Sequence, residues 1–195
     1  MIVLITGPSG AGKSSFIGRL MAADPRLAFS ISSTTRPIRE GERDGVDYDF
    51  VDDARFAELL AADAFVEWAV VHGNRYGTRR AALDELTGRG RIPVLDIDVQ
   101  GGLQVIPRLG TELVSIFLFP PSWDELERRL RSRGTDSDAV IATRLANARG
   151  EVARAGAYDW WIVNDDLERA VLRAQAVIEA APCRRESWGQ PPLAD

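Results

Sequence analysis

Long apolar runs are missing from this chain of 195 residues. No stretch approaches the ~20 consecutive apolar residues that a membrane-crossing helix needs, so neither a membrane nor a membrane surface is expected as a partner. Residues 1–10, MIVLITGPSG, carry neither the basic flank nor the small-residue cleavage site of a secretory signal. Cysteine occurs once, as Cys183, which excludes an internal disulfide framework and fits a reducing compartment. A cytoplasmic location is therefore expected. Histidine also occurs once, as His72, which reads as structural rather than catalytic. The basic side chains number 24 against 29 acidic ones, a net charge of −5 that argues against non-specific nucleic-acid binding. Lysine is the sharpest scarcity. Arginine supplies 23 of the 24 basic residues, and Lys13 stands alone, marking a position where a compact ammonium is wanted rather than a guanidinium fork.

Against those absences, 45% hydrophobic residues supply one proper core. Residues 1–6 read as a buried strand, followed by a glycine-rich turn and a helix with Phe16, Ile17, Leu20 and Met21 on one face. Residues 28–32 read as a second short strand. The segment from 33 to about 75 is polar and turn-rich, then alternates at Val46, Tyr48 and Phe50, which predicts a small β-rich lobe. Within it, Asp52 and Asp53 cap a predicted helix over 54–62, and 65–71 reads as a strand. A helix over 78–86 ends near Gly88. Strands at 92–97 and 112–119 alternate with helices, the pattern of a parallel sheet. Ser122 opens a helix of the sequence SWDELERRLRSRG; another spans about 136–155. A strand at 160–163 and an amphipathic helix at 166–181 close the fold. Trp123, Trp160 and Trp161 fall on apolar positions and read as packing aromatics. The expected architecture is an α/β P-loop core (1–32, 78–121 and 151–181), a small lobe (33–77), a helical lid (122–150) and a frayed tail (182–195).

The glycine-rich turn is chemically explicit. Gly7-Pro8-Ser9-Gly10-Ala11-Gly12-Lys13-Ser14 fits G-x-x-x-x-G-K-[ST] in full, between an apolar strand and a helix. Such a loop turns successive backbone N–H groups toward phosphate oxygens, the helix adds its positive end, the lysine neutralises the β- and γ-phosphates, and the serine hydroxyl ligates Mg²⁺. ATP with Mg²⁺ is the expected ligand. Asp96 and Asp98 lie two residues apart at a strand end, hence on one face. Either can approach the metal through water, and at least one is expected to cap the following helix.

The acceptor is indicated by Ser32-Ser-Thr-Thr-Arg36-Pro-Ile-Arg39-Glu-Gly-Glu-Arg43-Asp-Gly-Val-Asp-Tyr48-Asp-Phe, in which two guanidinium forks and a phenol suit a dianionic phosphate. This block closely resembles the guanylate kinase family. The likeness continues through Phe65-Val-Glu67-Trp, His72-Gly-Asn-Arg-Tyr76-Gly-Thr78, Leu95-Asp-Ile-Asp98-Val-Gln-Gly, Arg133-Gly-Thr-Asp-Ser, Arg144-Leu and Val163-Asn164-Asp-Asp-Leu, covering about residues 2 to 180. The resemblance implies transfer of the γ-phosphoryl of ATP to GMP, with dGMP an open alternative, in purine nucleotide metabolism. It implies that Ser32, Thr78 and Glu67 meet guanine and that Arg36, Arg39, Tyr48 and Tyr76 hold the 5′-phosphate. Asp98 would stand between acceptor and metal, and Arg129, Arg133 and Arg144 would close over the ATP phosphates as catalytic arginines beside Lys13 and Arg36. Asn164 resembles an adenine-edge contact; its alternative is a strand-end cap for the last helix. Chemistry agrees on Glu67: guanine offers N1–H and N2–H₂ side by side to one carboxylate, whereas adenine offers an unprotonated N1. A partner-binding scaffold module of the same fold would be expected to have lost parts of the phosphate loop, and here Lys13 and Ser14 are intact.

Overall fold

The computed structural model describes residues 1–71, 73–132 and 136–184. Two sheets divide the strands. The larger has five parallel strands in the order β2-β7-β1-β8-β9, with β1 at Ile2–Thr6, β2 at Leu27–Phe29, β7 at Ile92–Asp96, β8 at Leu113–Phe119 and β9 at Trp160–Val163. Every residue of the central strand β1 is buried, which is why it reads as a continuous apolar run rather than an alternation. Its side chains divide between two faces. Val3 and Ile5 join Phe16, Ile17 and Leu20 of α1 (Lys13–Ala23) and Val171, Ala174 and Ile178 of α7 (Leu167–Ala180). Ile2 and Leu4 join Leu83 of α3 (Arg80–Gly88) and Val99, Val105 and Leu109 of α4 (Val99–Leu109) on the other.

The smaller sheet has the order β4-β3-β6-β5, from β3 (Ser33–Thr34), β4 (Asp49–Phe50), β5 (Phe65–Val71) and β6 (Asn74–Arg79), with α2 (Asp53–Ala61) between β4 and β5. Helix α4 carries this sheet. Gln104 exchanges hydrogen bonds with the Trp68 backbone, and Arg108 donates to the Phe65 and Val66 carbonyls at 2.9 and 3.1 Å. Helices α5 (Trp123–Arg131) and α6 (Asp138–Val152) pack through their own small core of Leu126, Leu130, Ile141 and Ala148.

Several sequence-based expectations move. The strand expected at 28–32 is split: β2 ends at Phe29, and the chain then crosses to the small sheet at Ser33. The alternation at 46–50 yields only a two-residue strand, because Arg43–Tyr48 folds on itself through a Gly45 N–H to Tyr48 carbonyl bond of 2.8 Å. The helix expected at 78–86 starts at Arg80, since Thr78 and Arg79 still pair in β6, a strand not foreseen that carries the small sheet past residue 77. The helix expected at 136–155 runs Asp138–Val152, capped by Ser137. Trp161 is 63% exposed, meeting Phe119 edge-on at 5.5 Å with its indole N–H bound to the Ala155 carbonyl, and Trp123 lies on the surface beneath the Arg149 guanidinium. The tail expected from 182 begins with a helical turn, Ala181–Cys183. Residues 185–195, His72 and Arg133 lie outside the described residues.

Candidate active site

The loop between β1 and α1 is shaped by two glycines. Gly7 has φ +151°, and a Cβ there would collide with the Leu118 carbonyl oxygen, so the loop leaves the sheet closely against β8. Gly12, at φ +91°, is the N-terminal cap of α1. The first turn of α1 holds no acidic residue, so its positive end is not neutralised. Lys13 folds back to donate to the Gly7 carbonyl at 2.9 Å. A cavity of about 370 Å³ is lined by Pro8, Ser9, Gly10, Gly12, Lys13, Ser14, Asp96, Ile97 and Asp98.

A second cavity of about 280 Å³ opens beside it, walled by Ser32, Tyr48, Glu67, Ala69, Val71 and Tyr76 and sharing Asp96, Ile97 and Asp98 with the first. Strand pairing builds its floor: Glu67 of β5 lies opposite Thr78 of β6, and the Thr78 hydroxyl donates to Glu67 Oε1 at 2.6 Å. Glu67 is 4% exposed. Burial pushes its carboxyl above the usual glutamate range, Asp98 adds to the rise, and the Thr78 hydroxyl bond opposes it. Room for this carboxylate depends on Gly101, where a Cβ would stand 2.8 Å from Glu67 Oε2. The Tyr48 and Tyr76 rings meet edge-on at 6.0 Å. The Arg36 guanidinium lies 5.4 Å from the Tyr48 ring centre, held by Glu42 Oε1 and the Pro37 carbonyl, each at 2.7 Å. Arg39 is exposed at the rim of this lobe, its backbone N–H bound to Glu42 at 2.8 Å.

The shared edge is the end of β7. Burial raises the Asp96 carboxyl above its ordinary range, with the Lys13 ammonium opposing. Asp98 caps α4, accepting the Gly101 N–H at 2.8 Å. The residues present suit a magnesium ion carried in with a polyphosphate. The exposed Ser14 hydroxyl and the Asp96 and Asp98 carboxylates border one cavity, while no cluster of three or more acidic, histidine or cysteine ligands occurs among the described residues. Such an ion would draw most of its oxygens from phosphate and water.

The family model described as guanylate kinase matches residues 1–181. The chain belongs to the guanylate kinase family. It is 48% identical over 195 residues to the guanylate kinase of Anaeromyxobacter dehalogenans, covering all of this chain and 86% of that one. It is 50% identical over 184 residues to that of Syntrophotalea carbinolica, covering 94% and 87%. The crystal structure of guanylate kinase from Anaplasma phagocytophilum superposes with a TM-score of 0.74 at 32% identity, covering 95% of this chain and 87% of that one.

Within this guanylate kinase fold, Ser32, Tyr48, Glu67, Tyr76 and Asp98 line the acceptor-side cavity, Thr78 lies on Glu67 and Arg36 stands beside Tyr48, whereas Arg39 lines neither cavity; of the arginines expected in the lid, Arg133 lies outside the described residues and Arg129 and Arg144 are engaged apart from each other. Arg144 on α6 pairs with Asp136 at 3.2 Å and lines neither cavity. Arg129 is engaged at the phosphate loop by way of the Ala11 carbonyl. Asn164 also donates to Ala11, and Asp166, not Asn164, caps α7. One residue was missed. Glu151 on α6 borders a third cavity with Asp98; burial raises its carboxyl, and Lys13 and the Ser9 backbone N–H oppose the rise. Its local sequence, ARGEVAR, carries no signal beyond that of a solvated helix face.

Proposed function

We infer that this chain is an ATP:GMP phosphotransferase that converts ATP and GMP to ADP and GDP. One observation carries the acceptor assignment. A buried carboxylate on a threonine hydroxyl, Glu67 on Thr78, faces a cavity whose other end opens onto the same Asp96–Asp98 edge as the phosphate loop. Guanine N1–H and N2–H₂ donate side by side to Glu67, and a base lacking those donors leaves the carboxylate buried and unpaired. Ser32 borders the same end, and Tyr48 and Tyr76 supply phenols for the 5′-phosphate. Arg36 turns from Glu42 toward that phosphate, joined by Arg39. A dGMP acceptor would leave these contacts unchanged, since none uses the 2′-hydroxyl.

The acceptor phosphate oxygen is already ionised at neutral pH, so no general base is needed. Lys13 and the loop N–H groups hold and neutralise the ATP phosphates; Asp98 keeps the helix end beneath both substrates in register. Magnesium bound with ATP would offset the negative charge of the phosphates. Ser14 would ligate it, with Asp96 and Asp98 acting through water. Arg144, with Arg133 from beyond the described residues, reaches the phosphates when α5 and α6 close. A cytoplasmic location belongs to the same proposal, supported by the single exposed free thiol, Cys183. Among the described residues no helix is long and apolar enough to cross a membrane.

A coupled assay of ATP with each nucleoside monophosphate tests the assignment, with Lys13→Ala as control. Turnover is expected with GMP and is expected to fall by at least about a hundredfold in Lys13→Ala. Turnover with AMP or UMP but not GMP overturns the acceptor assignment.

A further inference from the structure

Ala11 lies within the phosphate loop, fully buried, and its carbonyl oxygen is gripped from outside the loop. Asn164, at the end of β9, donates its side-chain amide to that oxygen at 2.9 Å. Arg129 of α5 donates one guanidinium nitrogen to the same oxygen at 3.2 Å and another to the Asn164 carbonyl at 3.2 Å, while its Nε binds Glu125 Oε1 at 2.7 Å. Two separate elements, the end of β9 and α5, thus converge on one peptide unit. That unit is trans, so its carbonyl and its N–H point to opposite sides. Holding the Ala11 oxygen toward Asn164 and Arg129 turns the Gly12 N–H the other way, to the cavity that Gly12 itself lines. A glycine flank makes this constraint necessary, because a peptide next to glycine can rotate at little steric cost.

We propose that Asn164 and Arg129 are positioning residues that lock the Ala11–Gly12 peptide with its N–H presented to the ATP phosphates before ATP arrives. The inference rests on residues 7–14 being the ATP phosphate site. It assigns Asn164 a role on the loop backbone through its amide donor, separate from any contact made by its Oδ1 acceptor. It makes Arg129 a brace of the loop rather than an arm that sweeps over it. Glu125, which orients the Arg129 fork, is the outermost link of the network.

Calorimetric titration of the full chain with inorganic tripolyphosphate, ATP and GMP tests this. Tripolyphosphate has the phosphates and no base. Asn164→Ala is expected to weaken tripolyphosphate and ATP by the same factor, about tenfold, and to leave GMP unchanged. Arg129→Lys keeps the charge but loses the fork that spans two carbonyls, and is expected to show the same pattern more weakly. A loss for ATP with tripolyphosphate spared would mean an adenine contact and overturns the proposal. If Asn164→Ala also loses GMP, its fold is disturbed and Arg129→Lys decides by the same criterion; loss of GMP in both variants overturns the proposal. Unchanged variants beside a wild type that binds tripolyphosphate overturn the positioning role alone. A wild type that binds GMP but neither ATP nor tripolyphosphate overturns the phosphate-loop reading with it.

Discussion

In the proposed function, recognition of the base falls to one buried carboxyl group, that of Glu67. Because burial raises its pKa in the folded chain, ionising it costs stability: the cost is absent below the unfolded pKa and complete once pH has risen past the folded one. Guanine donors reverse the balance by favouring the carboxylate. GMP binding should therefore expel a proton from the fraction of chains still protonated, and affinity should fall as pH falls through that window. Titration calorimetry in two buffers of different ionisation enthalpy, at about pH 5 against about pH 8, reads the proton directly. The GMP phosphate itself titrates near pH ~6. The difference between wild type and Glu67→Gln thus carries the result, and equal proton release in the two would refute the assignment.

At the scale of elements, α4 joins the two halves of the site. Its N-terminal cap, Asp98, borders both cavities, and its Gln104 and Arg108 hold the strand that carries Glu67. Capping and chemistry can be separated there. Asp98→Asn keeps an acceptor for the Gly101 N–H and should melt close to wild type while kcat drops by about tenfold or more. Asp98→Ala should lose the same activity and in addition about 1 kcal/mol of stability, seen as a lower Tm. Equal melting of the two variants would show that the cap contributes little. That Asp96 or Asp98 would cap the helix was legible in the sequence, because an acid between a strand and a helix suits an N-terminal cap; the structure gives that cap to Asp98. Strand β6 was not: Asn74-Arg75-Tyr76-Gly77-Thr78-Arg79 has no apolar alternation, and pairing with β5 and β3 makes it a strand. The positions of Glu67 and Thr78 were readable as motif members, but their 2.6 Å contact depends on a register that composition does not encode. Asn164 was named, but its bond to Ala11 escaped for a similar reason, the partner lying 153 positions away in the chain.

For the whole molecule, the consequence lies in how the two cavities are assembled. The phosphate loop sits on the parallel sheet, the acceptor cavity is walled largely by the small sheet, and only Asp96, Ile97 and Asp98 belong to both. Productive alignment then requires both substrates, and water should be a poor acceptor when GMP is missing. ATP hydrolysis without GMP is expected to run at least about a hundredfold slower than transfer, measured as ADP release with and without GMP. Vigorous hydrolysis without GMP would contradict that coupling. The small sheet also enters and leaves the core through two adjoining strands: the chain departs after β2 and returns to β7, which pair with each other from Leu27 opposite Ile92 to Phe29 opposite Val94. The piece of gene between those strands is contiguous, but it includes α3, whose Leu83 packs with Ile2 and Leu4 of β1, and Glu67 within it leans on Gly101 beyond it. A transplanted small sheet would therefore keep neighbouring ends and still have to match the helix contacts of its new host.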